Sequence, residues 1–204
     1  MIIFMSDILC VTNRWITCED FLVRVEKIAA ARPAGIILRE KDLCEEEYKE
    51  LAVRVLDICR KYDVTCILHS FVNVAIELKC AAIHLPLHLL EQMSGEEKAM
   101  FSIIGASCHS VEDAARAERS GCTYITAGHV FDTDCKKGLP GRGLEFLEKV
   151  CESVSIPVYA IGGISAENVG EVRKAGAAGG CVMSGMMMCK NPGEYLKKFG
   201  KIKG

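Results

Sequence analysis

His129 stands one residue past Gly128, at the head of the longest polar stretch of the chain, GHVFDTDCKKGLPGRG over 128–143. An imidazole at the end of a buried strand can take up and return a proton near pH 7. A packed or solvent-facing histidine fits the same position. Lys136 and Lys137 in that stretch could neutralise an anionic ligand or form a solvated basic turn, and spacing leaves both open. Two glycine-bearing segments, Gly162-Gly163 and Ser184-Gly185, each follow an apolar run and precede a helical pattern. Glycine lets the backbone approach an anion, and free N–H groups at a helix start can bind one. Tight turns alone would also use glycine, but the pair of segments favours a phosphate. His84 and His88 are four residues apart, yet Pro86 lies between them and their loop lacks a carboxylate, so no metal site is expected. His69 and His109 are read as lining or structural residues.

These residues need elements to position them. Short apolar runs occur at 7–12, 34–39, 63–68, 81–85, 102–107, 122–127, 156–161 and 179–183. They are β-branched or almost continuously apolar, as strands buried on both faces are. Amphipathic segments separate them. Segment 45–61 sets Leu51, Val55 and Ile58 on one face. Segment 110–120 opens on Ser110 and ends at Gly121, and segment 165–175 runs from Ser165 to Gly176. Eight strand-then-helix units predict an α/β fold, a single (β/α)₈ TIM barrel over 1–204. A doubly wound open sheet is the rival, but strand 1 leads into Thr12-Asn13-Arg14-Trp15 rather than a glycine-rich turn. Sites in such barrels lie at the C-terminal strand ends. Gly162, Gly163, Ser184 and Gly185 then fall after strands 7 and 8, and His129 after strand 6.

Half of the 204 residues are hydrophobic and a quarter charged, with a net charge of -2, which gives no reason to expect nucleic acid or a membrane as partner. No run is long and apolar enough to span a bilayer. The opening MIIFMSD lacks a basic region, so no signal peptide and a cytoplasmic location are expected. The twelve cysteines are scattered, with no CxxC, and read as reduced, mostly buried small hydrophobes. A homodimer is the default expectation for a soluble enzyme.

The landmarks ILCVTN (8–13), ILREKDL (37–43), AIHLP (82–86), IIGASCHSVEDA (103–114), the 128–143 stretch, IPVYAIGGI (156–164) and VMSG (182–185) resemble the thiamine phosphate synthase superfamily over nearly the whole chain. One branch of that superfamily joins a pyrimidine pyrophosphate to thiazole phosphate with magnesium. The other, the TenI-type thiazole tautomerases, aromatises a carboxythiazole phosphate. The resemblance implies a phosphate held by Gly162, Gly163, Ser184 and Gly185. It also implies anion contacts from Arg39, Lys41, Ser107 and Lys136.

The departures separate the branches. The synthases carry an Asn-Asp after strand 3 and an aspartate in a GQED loop after strand 4, and these aspartates hold magnesium. Here His69-Ser70 and Leu89 occupy those places. Around 128–143 the chain is similar to the tautomerases, whose catalytic histidine falls on His129. The resemblance therefore implies a tautomerase acting on a carboxythiazole phosphate without metal or organic cofactor. A synthase with substitute metal ligands and a non-catalytic thiazole-phosphate-binding regulator are the alternatives.

Overall fold

The computed structural model describes residues 7–133 and 138–200. Eight strands form a closed, all-parallel barrel in chain order, with the last pairing to the first. They are β1 (Ile8–Val11), β2 (Gly35–Leu38), β3 (Cys66–His69), β4 (Ala82–Pro86), β5 (Ile103–Cys108), β6 (Tyr124–Gly128), β7 (Val158–Ile161) and β8 (Gly179–Val182). Every apolar run of the sequence contributes one strand. Strands β3 to β6 end one residue beyond their runs, on His69, Pro86, Cys108 and Gly128. Ladder hydrogen bonds are made by the backbone, so they continue past the last apolar side chain.

Alternation along each strand builds two cores. Leu9, Val11, Ile37, Ile67, Ala82, Tyr124, Tyr159 and Cys181 fill the barrel. Their neighbours, including Ile8, Cys10, Ile36, Leu38, Leu68, Ile83, Ile125 and Val182, pack outward beneath the helices. Helix α1 spans Phe21–Ala30, α2 Glu45–Tyr62, α3 Val72–Glu77, α4 Leu87–Gln92 and α5 Gly95–Ala99. After these come α6 (Val111–Arg119), α7 (Gly143–Ser153), α8 (Val169–Lys174), α9 (Ser184–Met188) and α10 (Pro192–Lys197). On α2, Val55 is buried and Leu51 and Ile58 pack beside it, as the periodicity predicts. Ser110 caps α6 by accepting from the Asp113 N–H at 3.0 Å. Helix α8 differs from expectation. It begins at Val169 rather than after Ser165, because a turn through 166–168 intervenes and Asn168 Oδ1 takes the Ser165 N–H at 2.9 Å.

Seven of the eleven described cysteines are buried and all eleven are free thiols. Among the described residues no helix is long and apolar enough to cross a membrane.

Candidate active site

Two loops leave β7 and β8 side by side, because Ile161 pairs with Cys181 in the ladder. Gly162 and Gly163 have φ of +95° and +68°, a backbone region that favours glycine. A Cβ on Gly162 would overlap the Cβ of His129, and one on Gly163 would come within 2.6 Å of the Asp132 carbonyl. These glycines therefore admit the β6 loop as well as opening the turn. Asn168 holds that turn from behind, donating through Nδ2 to the Gly163 carbonyl at 2.8 Å. Ser184 is exposed at the start of α9. Gly185 lies against the Tyr195 ring, and its Cβ would stand 2.6 Å from Cζ.

The loop after β6 folds back on these turns. The N–H groups of Val130 and Phe131 donate to the carbonyls of Ile161 and Gly162, at 2.9 and 3.0 Å. Its returning arm donates from Arg142 to the His129 carbonyl at 3.0 Å and from Gly141 to Asp132 Oδ1 at 2.6 Å. His129 is buried between the arms, 7% exposed. Its Nε2 lies 3.2 Å from the Leu139 carbonyl. A carbonyl only accepts, so Nε2 carries a proton, and in the neutral ring Nδ1 bears the lone pair. That Nδ1 is buried with no hydrogen-bond partner among the described residues. His109 donates from Nδ1 to the Gly128 carbonyl at 3.0 Å, a structural contact that anchors the strand end. Lys136 lies outside the described residues.

The opposite side of the mouth is cationic. Arg39 is half-buried and Lys41 exposed at the end of β2, and neither side chain has a partner among the described residues. Burial and the charge of Arg39 hold the Lys41 ammonium below its ordinary pKa. Glu40, 2% exposed, faces away from them. It accepts from Thr12 Oγ1 at 2.6 Å and from the Arg14 N–H at 3.1 Å. Arg14 also clamps Asp42.

Behind the cations are two imidazoles that sequence reading left out of the site. His69 and His84 are ladder neighbours whose rings stack at 5.9 Å. Burial, with the nearby charges of Arg39 and Lys41, lowers His84 to about 3. His69 is lowered to about 2 by burial and then by His84, Lys41 and Arg39. Both are neutral at physiological pH. His84 Nε2 lies 2.9 Å from Ser107 Oγ, which brings Ser107 to the same side of the mouth. His88 is on the exposed face of α4, so His84 and His88 do not meet. The alternating inward positions of 81–85 and 122–127 could have revealed the interior pairing of His84 with Tyr124.

A magnesium site after β3 and β4 is a poor fit to these residues. His69, Ser70 and Leu89 supply no carboxylate, and magnesium prefers hard oxygen donors. Two cations, Arg39 and Lys41, without side-chain partners among the described residues, stand beside the imidazoles. The carboxylates that follow β2, Glu40 and Asp42, are committed to Arg14.

The model of the family described as thiamine monophosphate synthase matches residues 8–186. The chain belongs to this family of thiamine-biosynthesis enzymes. A "Thiamine-phosphate synthase 2" of Streptococcus pneumoniae is 33% identical over 202 residues, covering 94% of each chain. A "Thiamine-phosphate synthase" of Clostridium acetobutylicum is 32% identical, covering 87% of this chain and 85% of its own. Among solved structures, the thiamine phosphate pyrophosphorylase of Pyrococcus furiosus superposes with a TM-score of 0.81 at 29% identity, over 96% of this chain and 93% of its own.

Proposed function

We propose that this family member is a thiazole tautomerase of the TenI type, with His129 as its proton carrier. The observation that carries the reading is the His129 ring. Its Nε2–H is committed to the Leu139 carbonyl, and its Nδ1 is buried without a partner among the described residues. A buried, unshared lone pair on a neutral imidazole is what a general base needs. The substrate would be a 2-carboxythiazole ethyl phosphate tautomer with an exocyclic double bond. Its ring C2–H is acidic because the electron pair left behind is conjugated to the exocyclic alkene. His129 Nδ1 takes that proton, and a proton is returned to the exocyclic carbon. The thiazole becomes aromatic, so no bond beyond C–H is broken or formed.

In this reading the N–H groups of Gly162, Gly163, Ser184 and Gly185 receive the phosphate. Arg39, Lys41 and Ser107 face the carboxylate. Positioning and proton transfer are sufficient for such a reaction. Replacing His129 with Asn should slow the isomerisation by about 10²- to 10⁴-fold while leaving product binding nearly unchanged. Undiminished turnover in H129N would reject the assignment.

The names of the curated relatives favour a second reading, a thiamine phosphate synthase that transfers the pyrimidine to thiazole phosphate. Magnesium-dependent release of pyrophosphate by the purified protein would establish it. A third reading, a regulator that binds thiazole phosphate, would give binding with neither reaction.

A further inference from the structure

We infer that His84 and Tyr124 are positioning residues that commit the Ser107 hydroxyl to donate its proton outward, to an anionic oxygen of the ligand. Three neighbouring strands make the arrangement. His84 on β4, Gly105 on β5 and Tyr124 on β6 are ladder partners and form one layer inside the barrel. Ser107 is two residues further along β5, one layer nearer the mouth, and half-buried. Gly105 is the window through which the outer two meet. A Cβ there would overlap the Tyr124 ring and stand 2.5 Å from His84 Nδ1.

Through that window His84 Nδ1 lies 2.9 Å from the Tyr124 hydroxyl, and Nε2 lies 2.9 Å from Ser107 Oγ. A neutral imidazole has one donor and one acceptor nitrogen. Burial pushes the Tyr124 phenol up, so it keeps its proton. Among the described residues that proton has one acceptor, His84 Nδ1. Tyr124 therefore donates to Nδ1, and Nε2–H donates to Ser107 Oγ. The opposite tautomer would strand the phenolic proton inside the barrel, at the cost of a buried unsatisfied donor. With Nε2 already a donor, Ser107 cannot spend its own proton on His84. Its O–H is left for whatever enters the mouth, where the unpaired Arg39 and Lys41 favour an anion.

The proposed tautomerase function supplies only the identity of the acceptor, the substrate's carboxylate. The tautomer lock does not depend on it.

The first test is imidazole nitrogen NMR of the free protein, with His84 assigned from the signals lost in His84→Gln. The expected spectrum has Nδ1 bare and Nε2 protonated, unchanged from about pH 5 to about pH 8. In Tyr124→Phe the lock is released and both tautomers appear. The second test compares binding of the aromatic carboxythiazole ethyl phosphate with that of its decarboxylated counterpart. Ser107→Ala should lose the preference for the carboxylated ligand by about tenfold or more, and Tyr124→Phe by about three- to tenfold. His84→Gln keeps an N–H near the Nε2 position and should retain the preference, whereas His84→Leu should behave like Ser107→Ala. An Nδ1–H tautomer or an imidazolium in the free protein overturns the proposal. So does a Tyr124→Phe variant with unaltered His84 tautomer and unaltered preference. If neither thiazole binds, the proposed function fails and the spectra still decide the lock.

Discussion

The two ends of this barrel treat charge in opposite ways. At the N-terminal end, Asp7 is 3% exposed and fully engaged. Arg173 donates to both its oxygens, at 2.5 and 3.0 Å, and to the Phe199 carbonyl at 2.8 Å. That set ties the approach to β1, the end of α8 and the turn after α10 together. At the C-terminal end, Arg39 and Lys41 have no side-chain partners among the described residues, and His129 Nδ1 has none there either. Fully satisfied polar groups stabilise a fold, whereas unsatisfied ones persist where a ligand completes them. The closed end secures the barrel, whereas at the open end Arg39, Lys41 and His129 stand apart from the engaged Glu40, Arg14 and Asp42.

The largest expected effect breaks the closed end. Arg173→Leu leaves Asp7 buried and uncompensated and should cost about 3–5 kcal/mol of stability in urea unfolding, with activity per folded molecule unchanged. Next comes Gly105→Ala, whose methyl must displace Tyr124 or His84. A loss of about 1–3 kcal/mol is expected, together with weaker anion binding. Tyr48→Phe should cost about 1–3 kcal/mol. Its buried hydroxyl donates to the Leu38 carbonyl at 2.7 Å and accepts from the His69 N–H at 2.9 Å, which joins the ends of β2 and β3. The smallest effect on stability sharpens the contrast. Arg39→Met should change unfolding by less than about 0.5 kcal/mol. It should nevertheless weaken binding of the carboxylated thiazole ligand and raise the Lys41 pKa toward its ordinary value, read by NMR titration.

Acid should act on the open end. His69 and His84 are neutral when folded, with pKa values of about 2 and about 3, while the unfolded chain takes up protons near 6.5. Their folded pKa values are depressed, so the contribution of these two histidines to stability is constant above 6.5 and falls as pH drops from there toward about 3. His84→Gln should flatten part of that fall, measured as the urea midpoint against pH.

The barrel was readable in the sequence because eight buried parallel strands are written as eight short apolar runs, and each run occupies one strand. Strand ends were less readable. His69 and Gly128 continue ladders that only backbone atoms define. The glycines after β7 and β8 were visible as types at positions, but their reason was not. Gly162 and Gly163 make room for the β6 loop, and that contact is long-range. His84 illustrates the limit best. Beside His88 it suggests a metal motif, yet its partners are Tyr124 and Ser107, 40 and 23 residues away. Spacing along one element could not pair them, and the barrel register does.

The central claim is that His129 carries the proton of a tautomerisation. The direct test follows conversion of the carboxythiazole phosphate tautomer by ultraviolet absorbance, in wild type and His129→Asn, with and without magnesium. Turnover should be independent of magnesium in the wild type and fall by about 10²- to 10⁴-fold in the variant, with product affinity nearly unchanged. Undiminished turnover in the variant would contradict it, as would a wild type that leaves the tautomer untouched and instead releases pyrophosphate with magnesium.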